Sequence, residues 1–202
     1  VQKYIAVAGN IGSGKSSLVH FLAKEYGAKP FFEPNEANPY FDDFYRDMKT
    51  WAFHSQLFFL AHKFRLHQAM EKAEGLVVLD RTIYEDAEIF ATASYENQNI
   101  PLRDFELYWT LYQEMSSSLR PPDLMIYLKC SQRSLQKRIE LRGREVEQNM
   151  PDAYLRRLQA LYDNWIARYN HSEVITIETD KLDYVTDLVH RLDIMKRIER
   201  YF

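Results

Sequence analysis

The apolar run Tyr4-Ile5-Ala6-Val7-Ala8 leads without a break into Gly9-Asn10-Ile11-Gly12-Ser13-Gly14-Lys15-Ser16, and Ser17-Leu18-Val19-His20-Phe21-Leu22-Ala23 continues with helical character. Strand, glycine-rich loop and helix in this order restrict the start of the chain to one local geometry, a loop turning back between a strand end and a helix start. Glycines let backbone N–H groups curl around phosphates, Lys15 is placed to reach β and γ oxygens, and the Ser16 hydroxyl suits Mg²⁺. The following helix directs the positive end of its dipole at the same point. We expect residues 9–17 to bind ATP with Mg²⁺.

Beyond the loop, short apolar runs alternate with helical patterns. Residues 5–8, 29–32, 76–79, 124–128 and 174–177 are the strand candidates. Such alternation predicts an α/β fold, a five-stranded parallel sheet with crossover helices on both faces and ligands at the carboxyl ends of its strands. The uninterrupted Leu76-Val77-Val78-Leu79 suits its doubly covered centre. Phe105, Tyr108, Tyr112, Met115 and Leu119 recur at helical spacing, as do Tyr154, Leu158, Leu161, Trp165 and Tyr169. The first of these helices fits a core face or a subunit interface. A helix over 51–71 carries so little polar surface in its first half that we expect it to be buried nearly all round or to line a pocket. Gln56, in that apolar stretch, then needs a partner such as a ligand base.

The 202 residues read as one unit, 1–202, whose net charge of −3 gives no electrostatic case for nucleic acid or a membrane. No strand interleaves basic and aromatic residues as an RNA-binding sheet does. The lone Cys130 excludes an internal disulfide and reads as structural, and no apolar stretch approaches the ~20 residues that span a bilayer. A soluble, cytoplasmic protein is expected. None of the six histidines offers metal-site spacing, so Mg²⁺ is the metal we expect.

Three further groups carry chemistry. Glu33-Pro34 closes the second strand beside the phosphate loop, where a carboxylate can act as general base for an attacking hydroxyl. Asp80-Arg81-Thr82 follows the third strand: Asp80 can hold Mg²⁺ through water and Arg81 can pair with Glu33 or substrate, while Asp and Thr here also suit a helix cap. Arg138, Arg142 and Arg144 cluster around Gly143, either as a mobile flap over phosphate oxygens or as a helix end that complements its dipole.

With these groups in this order, the chain resembles the deoxyribonucleoside kinase family, nearest its bacterial deoxyadenosine/deoxycytidine kinase branch. The likeness is sharpest in Asn38-Pro39-Tyr40, Tyr45 through Gln56, Asp80 through Phe90, and Arg142-Gly143-Arg144 with Glu147. It implies a P-loop kinase fold with an arginine-rich lid at about 142–150. It also implies that Glu33 is the base for the 5′-hydroxyl and that Arg81 steadies it. Tyr45 and Glu147 would hold the sugar 3′-hydroxyl, Gln56 the base edge, Phe90 the base face and Asp86 the base's polar side. Arg138, Arg142 and Arg144 would close over the donor, and the loop at Asp183 and Tyr184 would meet its base. Where relatives often carry arginine this chain has Lys63, which keeps the charge without the fork and has Asp86 as a candidate partner.

Adenine and cytosine each present an amino donor beside a ring-nitrogen acceptor, a pattern that a glutamine amide meets twice and an aspartate anion meets at the amino group. Deoxyadenosine is therefore expected first and deoxycytidine second, in nucleoside salvage. A nucleoside monophosphate kinase shares the loop and lid, but acids at Glu33 and Glu147 would repel a second phosphate. A non-catalytic nucleotide-binding subunit on the same fold would not need Glu33 or the lid. The resemblance further implies a homodimer and feedback binding of a deoxynucleoside triphosphate.

Overall fold

A computed structural model describes residues 2–33, 37–148, 150–181 and 187–201. Asp183 and Tyr184, expected near the donor base, lie outside the described residues, as does Pro34. In chain order, β1 (Lys3–Gly9) is followed by α1 (Lys15–Tyr26), β2 (Lys29–Phe31), α2 (Phe41–Arg46), α3 (Met48–Glu71) and β3 (Leu76–Asp80). Then come α4 (Ile83–Glu85), a π-helical segment (Asp86–Ala91), α5 (Thr92–Glu96), α6 (Leu102–Ser117) and β4 (Leu124–Lys129). The chain continues through α7 (Gln132–Arg142), α8 (Glu145–Gln148), α9 (Asp152–Arg168), β5 (Glu173–Glu178) and α10 (Leu188–Ile198).

The five strands pair in parallel in the order β2-β3-β1-β4-β5. All five expected strands form. β1 alternates between two cores because successive side chains leave opposite faces of a sheet. Tyr4, Ala6 and Ala8 pack into one with Phe90, Tyr108 and Tyr162, while Ile5 and Val7 pack into the other with Leu18, Leu22, Ile194 and Ile198. Register then places the chemistry. Val7 lies opposite Asp80 and Phe31 opposite Leu79, so the ends of β1, β2 and β3 bring the phosphate loop, Glu33 and Arg81 to one edge.

Helix α3 takes the second of the two expected roles and lines a pocket, through Gln56 and Phe59. Its buried residues, Ala52, Ser55, Gln56, Leu60, Lys63, His67 and Met70, form one face, and Trp51, Phe53, Leu57, Phe58 and Phe59 are only half-buried. The helix is thus not buried all round, and the polar Gln56 and Lys63 lie on its buried face, Gln56 toward that pocket. On α6 only Tyr108 and Tyr112 are buried, and Leu102 and Leu107 are 56% and 54% exposed. Among the described residues no helix is long and apolar enough to cross a membrane.

Candidate active site

The phosphate loop is held by its own side chains. The Ser13 amide donates to the Asn10 carbonyl, Asn10 Oδ1 accepts from the Ile11 amide, and Asn10 Nδ2 donates to the Leu155 carbonyl of α9. Gly9 adopts φ 149°, and a Cβ there would stand 2.6 Å from Ser13 Oγ and 2.8 Å from the Leu128 carbonyl oxygen. Only glycine fits. Lys15 Nζ donates to the Asn10 carbonyl at 3.0 Å, and burial, reinforced by the charge of Arg81, lowers its ammonium to about 8. Ser16 Oγ donates to Asp80 Oδ2 at 2.6 Å. Asp80 Oδ1 is buried with no hydrogen-bond partner among the described residues, so this hydroxyl–carboxylate pair retains the hard oxygen donor that a Mg²⁺ site uses.

Glu33 and Arg81 meet as the sequence led us to expect. Arg81 Nη1 donates to Oε1 and Oε2 at 2.6 and 2.5 Å, and Lys63 Nζ lies 4.0 Å from Oε1. Burial opposes ionisation of Glu33, but the charges of Arg81, Lys63 and Lys15 outweigh it and hold the carboxyl at about 2. Arg81 itself takes the left-handed φ of 64°, its amide donates to the Val7 carbonyl, and its guanidinium carbon sits 4.4 Å from the centre of the Phe90 ring. Thr82 caps α4 with Glu85 in a reciprocal capping box, so this segment is both a cap and a chemical site.

One cavity is lined by Lys15, Ser16, Glu33, Asp80 and Arg81 together with Gln56, Asp86 and Phe90. Gln56 and Asp86 are 3% and 2% exposed, yet Gln56 Oε1 and Asp86 Oδ2 have no partner among the described residues. Burial raises the Asp86 carboxyl to about 7; Lys63 opposes that rise and Glu33 adds to it. Lys63 makes no ion pair with Asp86. Its ammonium turns to Glu33 and donates to the Asp80 carbonyl at 3.3 Å.

Tyr45, Glu147 and Tyr154 line the same cavity, where Glu147 accepts hydrogen bonds from Arg142 and Arg144. Arg142 and Arg144 line this cavity, and Arg138 is bonded to the phosphate loop itself. Arg138 donates to the Ser13 carbonyl at 3.2 Å, to Cys130 Sγ, and to the Thr179 hydroxyl and carbonyl. Its guanidinium therefore ties the phosphate loop at Ser13 to Thr179. Burial raises the Cys130 thiol pKa, which fits a structural role. The sequence reading gave no role to Glu85 or Tyr154. The Thr82-x-x-Glu85 spacing was the available signal for the first; for Tyr154, helical periodicity pointed only to core.

A phosphate loop and a paired carboxylate lining one cavity define a P-loop phosphotransferase. Comparison with known proteins narrows the class. A family model described as deoxynucleoside kinase matches residues 5–202. The deoxyadenosine/deoxycytidine kinase of Bacillus subtilis (strain 168) is 36% identical over 185 residues, 91% of this chain and 85% of the relative. The deoxyguanosine kinase of Lactobacillus johnsonii is 35% identical over 204 residues, 96% of this chain and 90% of the relative. Deoxyadenosine kinase from M. mycoides, solved with bound dATP, superposes with a TM-score of 0.86 at 27% identity, covering 97% of this chain and 99% of that one. The chain belongs to the deoxynucleoside kinase family, whose members are phosphotransferases. Relatives at nearly equal identity act on different bases, so identity alone leaves the base open.

Proposed function

We propose that this protein transfers the γ-phosphoryl group of ATP to the 5′-hydroxyl of a deoxynucleoside, with deoxyadenosine preferred and deoxycytidine second. The observation that carries this reading is that an ionised Glu33 lines one cavity with Lys15 of the phosphate loop and with Gln56 and Asp86, whose Oε1 and Oδ2 are buried acceptors without a partner among the described residues. Two acceptors in need of donors match an exocyclic amino group, which adenine and cytosine carry in hydrogen-bonding reach of a ring nitrogen.

In this mechanism Glu33 accepts the 5′-hydroxyl proton as that oxygen attacks the γ phosphorus and ADP leaves. Arg81 engages both carboxylate oxygens, but each keeps a second lone pair for the hydroxyl. Lys15 and backbone amides of residues 9–17 bind the donor phosphates, and Arg142, released from Glu147, stabilises charge on the moving group. Mg²⁺ held through Ser16 and Asp80 would neutralise charge on the β and γ oxygens. Phe90 offers its ring face to the base, while Tyr45 and Glu147, with Arg144 behind them, receive the 3′-hydroxyl. Arg138, bonded to the Ser13 carbonyl, joins Arg142 in holding the donor phosphates.

The test is an assay of the four deoxynucleosides and adenosine with ATP and Mg²⁺. Deoxyadenosine giving the highest kcat/KM supports the reading, and thymidine or deoxyguanosine giving the highest overturns the assignment of Gln56 and Asp86. We also propose a homodimer formed through α6, on the exposure of Leu102 and Leu107 beside half-buried Phe105 and Trp109. Light scattering at the monomer mass would refute it. Feedback binding of dATP is proposed from the likeness to the M. mycoides enzyme with bound dATP, and is checked by inhibition competitive with both substrates.

A further inference from the structure

The Glu85 side chain has no solvent-accessible surface, and all its oxygen valences are used. Oε2 accepts from the Thr82 amide at 2.7 Å and the Thr82 hydroxyl at 3.1 Å, which is all that capping α4 requires. Oε1 does something a cap does not need. It accepts from the Gly9 amide at 3.2 Å and from the Tyr162 hydroxyl at 2.9 Å, and it stands 3.8 Å from Arg81 Nε.

Each partner of Oε1 belongs to a different part of the reaction site. Gly9 is the residue where β1 becomes the phosphate loop, and its conformation permits no side chain. Arg81 grips Glu33 from a left-handed backbone, with its guanidinium over Phe90. Tyr162 comes from α9, whose Leu155 carbonyl holds Asn10. Immediately after Glu85 begins the π-helical segment that carries Asp86 and Phe90. A fully buried anion is costly to keep, and its use to fix registry between elements is the best-attested reason for retaining one.

We propose that Glu85 is a positioning residue for phosphoryl transfer, tying the root of the donor loop at Gly9 to the arginine that holds the acceptor-side base Glu33. This rests on the kinase reading above. Glu85 touches neither substrate; it fixes the distance between the two halves of the site, so its loss should appear in kcat and in donor binding more than in nucleoside KM.

The experiment compares wild type with E85Q, Y162F and the surface-cap control D47A, which removes the exposed Asp47 bond to the Thr50 amide. Each is measured for thermal midpoint, kcat, both KM values and ADP affinity by calorimetry. In E85Q the amide can face Thr82 or Gly9 but cannot accept on both sides, and we expect kcat to fall at least about tenfold with weaker ADP binding, since small misplacements cost that much. Y162F should lower kcat in the same direction by a smaller factor, and D47A should lower the midpoint without changing kcat. E85Q that folds with kcat and ADP affinity within about twofold of wild type would overturn the proposal. If E85Q fails to fold, Y162F decides: unchanged kcat and ADP affinity overturn it. A wild type that phosphorylates no deoxynucleoside refutes the kinase reading instead, and ADP affinity then still tests the tie to Gly9.

Discussion

Arg81 and Glu33 come from the ends of neighbouring parallel strands and meet through a single nitrogen, Nη1, which lies 2.6 and 2.5 Å from the two carboxylate oxygens. The pair is almost wholly enclosed, with side chains 7% and 9% exposed. Deleting one partner of a buried pair strands the other charge and costs ~3–5 kcal/mol, so alanine variants at either position would mix unfolding with lost chemistry.

The isosteric E33Q is therefore the probe of the base. It keeps an oxygen for Arg81 and loses proton-accepting power, and kcat should fall by at least about 100-fold. ADP affinity should change little. Steady-state kinetics with calorimetry checks both, and turnover near wild type would remove Glu33 from the mechanism.

Lys15 should make donor binding sensitive to alkaline pH. Its ammonium is lowered to about 8 by burial and by Arg81. Below that pH the cation is present to meet phosphate oxygens, and above it binding must first recover a proton. ADP affinity should weaken as pH rises past about 8, with K15M showing weak and flat binding across the same range.

Asp86 should titrate in the working range, because burial raises its carboxyl to about 7. Below that value the neutral acid can donate to a guanine carbonyl; above it the anion only accepts, as an amino group requires. The kcat/KM ratio of deoxyadenosine to deoxyguanosine should rise with pH through about 7 and be flat in D86N. The same shift affects stability. A carboxyl whose folded pKa lies above its unfolded value contributes stability at low pH that is lost as pH rises through the folded value. The ligand-free melting midpoint should thus decline through about pH 7 in wild type by more than in D86N.

Tyr45 and Glu147 should govern the sugar. Glu147 is 3% exposed and bound by Arg142 and Arg144. Y45F and E147Q should each lower kcat/KM for deoxyadenosine while changing that for 2′,3′-dideoxyadenosine far less. Equal losses on both compounds would place the pair away from the 3′-hydroxyl.

Gly9 tests the loop by fold rather than charge. In G9A the new methyl would press on Ser13 Oγ at 2.6 Å and on the Leu128 carbonyl at 2.8 Å. Overpacking against backbone costs about 1–3 kcal/mol, so denaturant midpoints should fall and ADP binding with them.

Much of the fold was legible because its signals are local. Each expected strand forms with its ends moved by two residues or fewer, and the Tyr154, Leu158, Leu161 and Trp165 stripe is buried on α9 as its spacing predicts. The loop from Gly9 to Ser16 carries its own geometry, since glycine spacing and the lysine are fixed along the chain. The meeting of Glu33 with Arg81 could be anticipated from two strand ends of the same polarity.

Choices among partners were not legible. Lys63 faces Glu33 and the Asp80 carbonyl instead of Asp86, Arg138 bonds Ser13 and Thr179, and Glu85 joins Gly9, Arg81 and Tyr162. Sequence determined which charges and hydroxyls exist and which secondary element carries each. Tertiary structure decided which of them meet, because β3 inserts between β1 and β2 and the desolvation cost of a buried charge makes every such group bind whatever counter-group that strand order brings within reach.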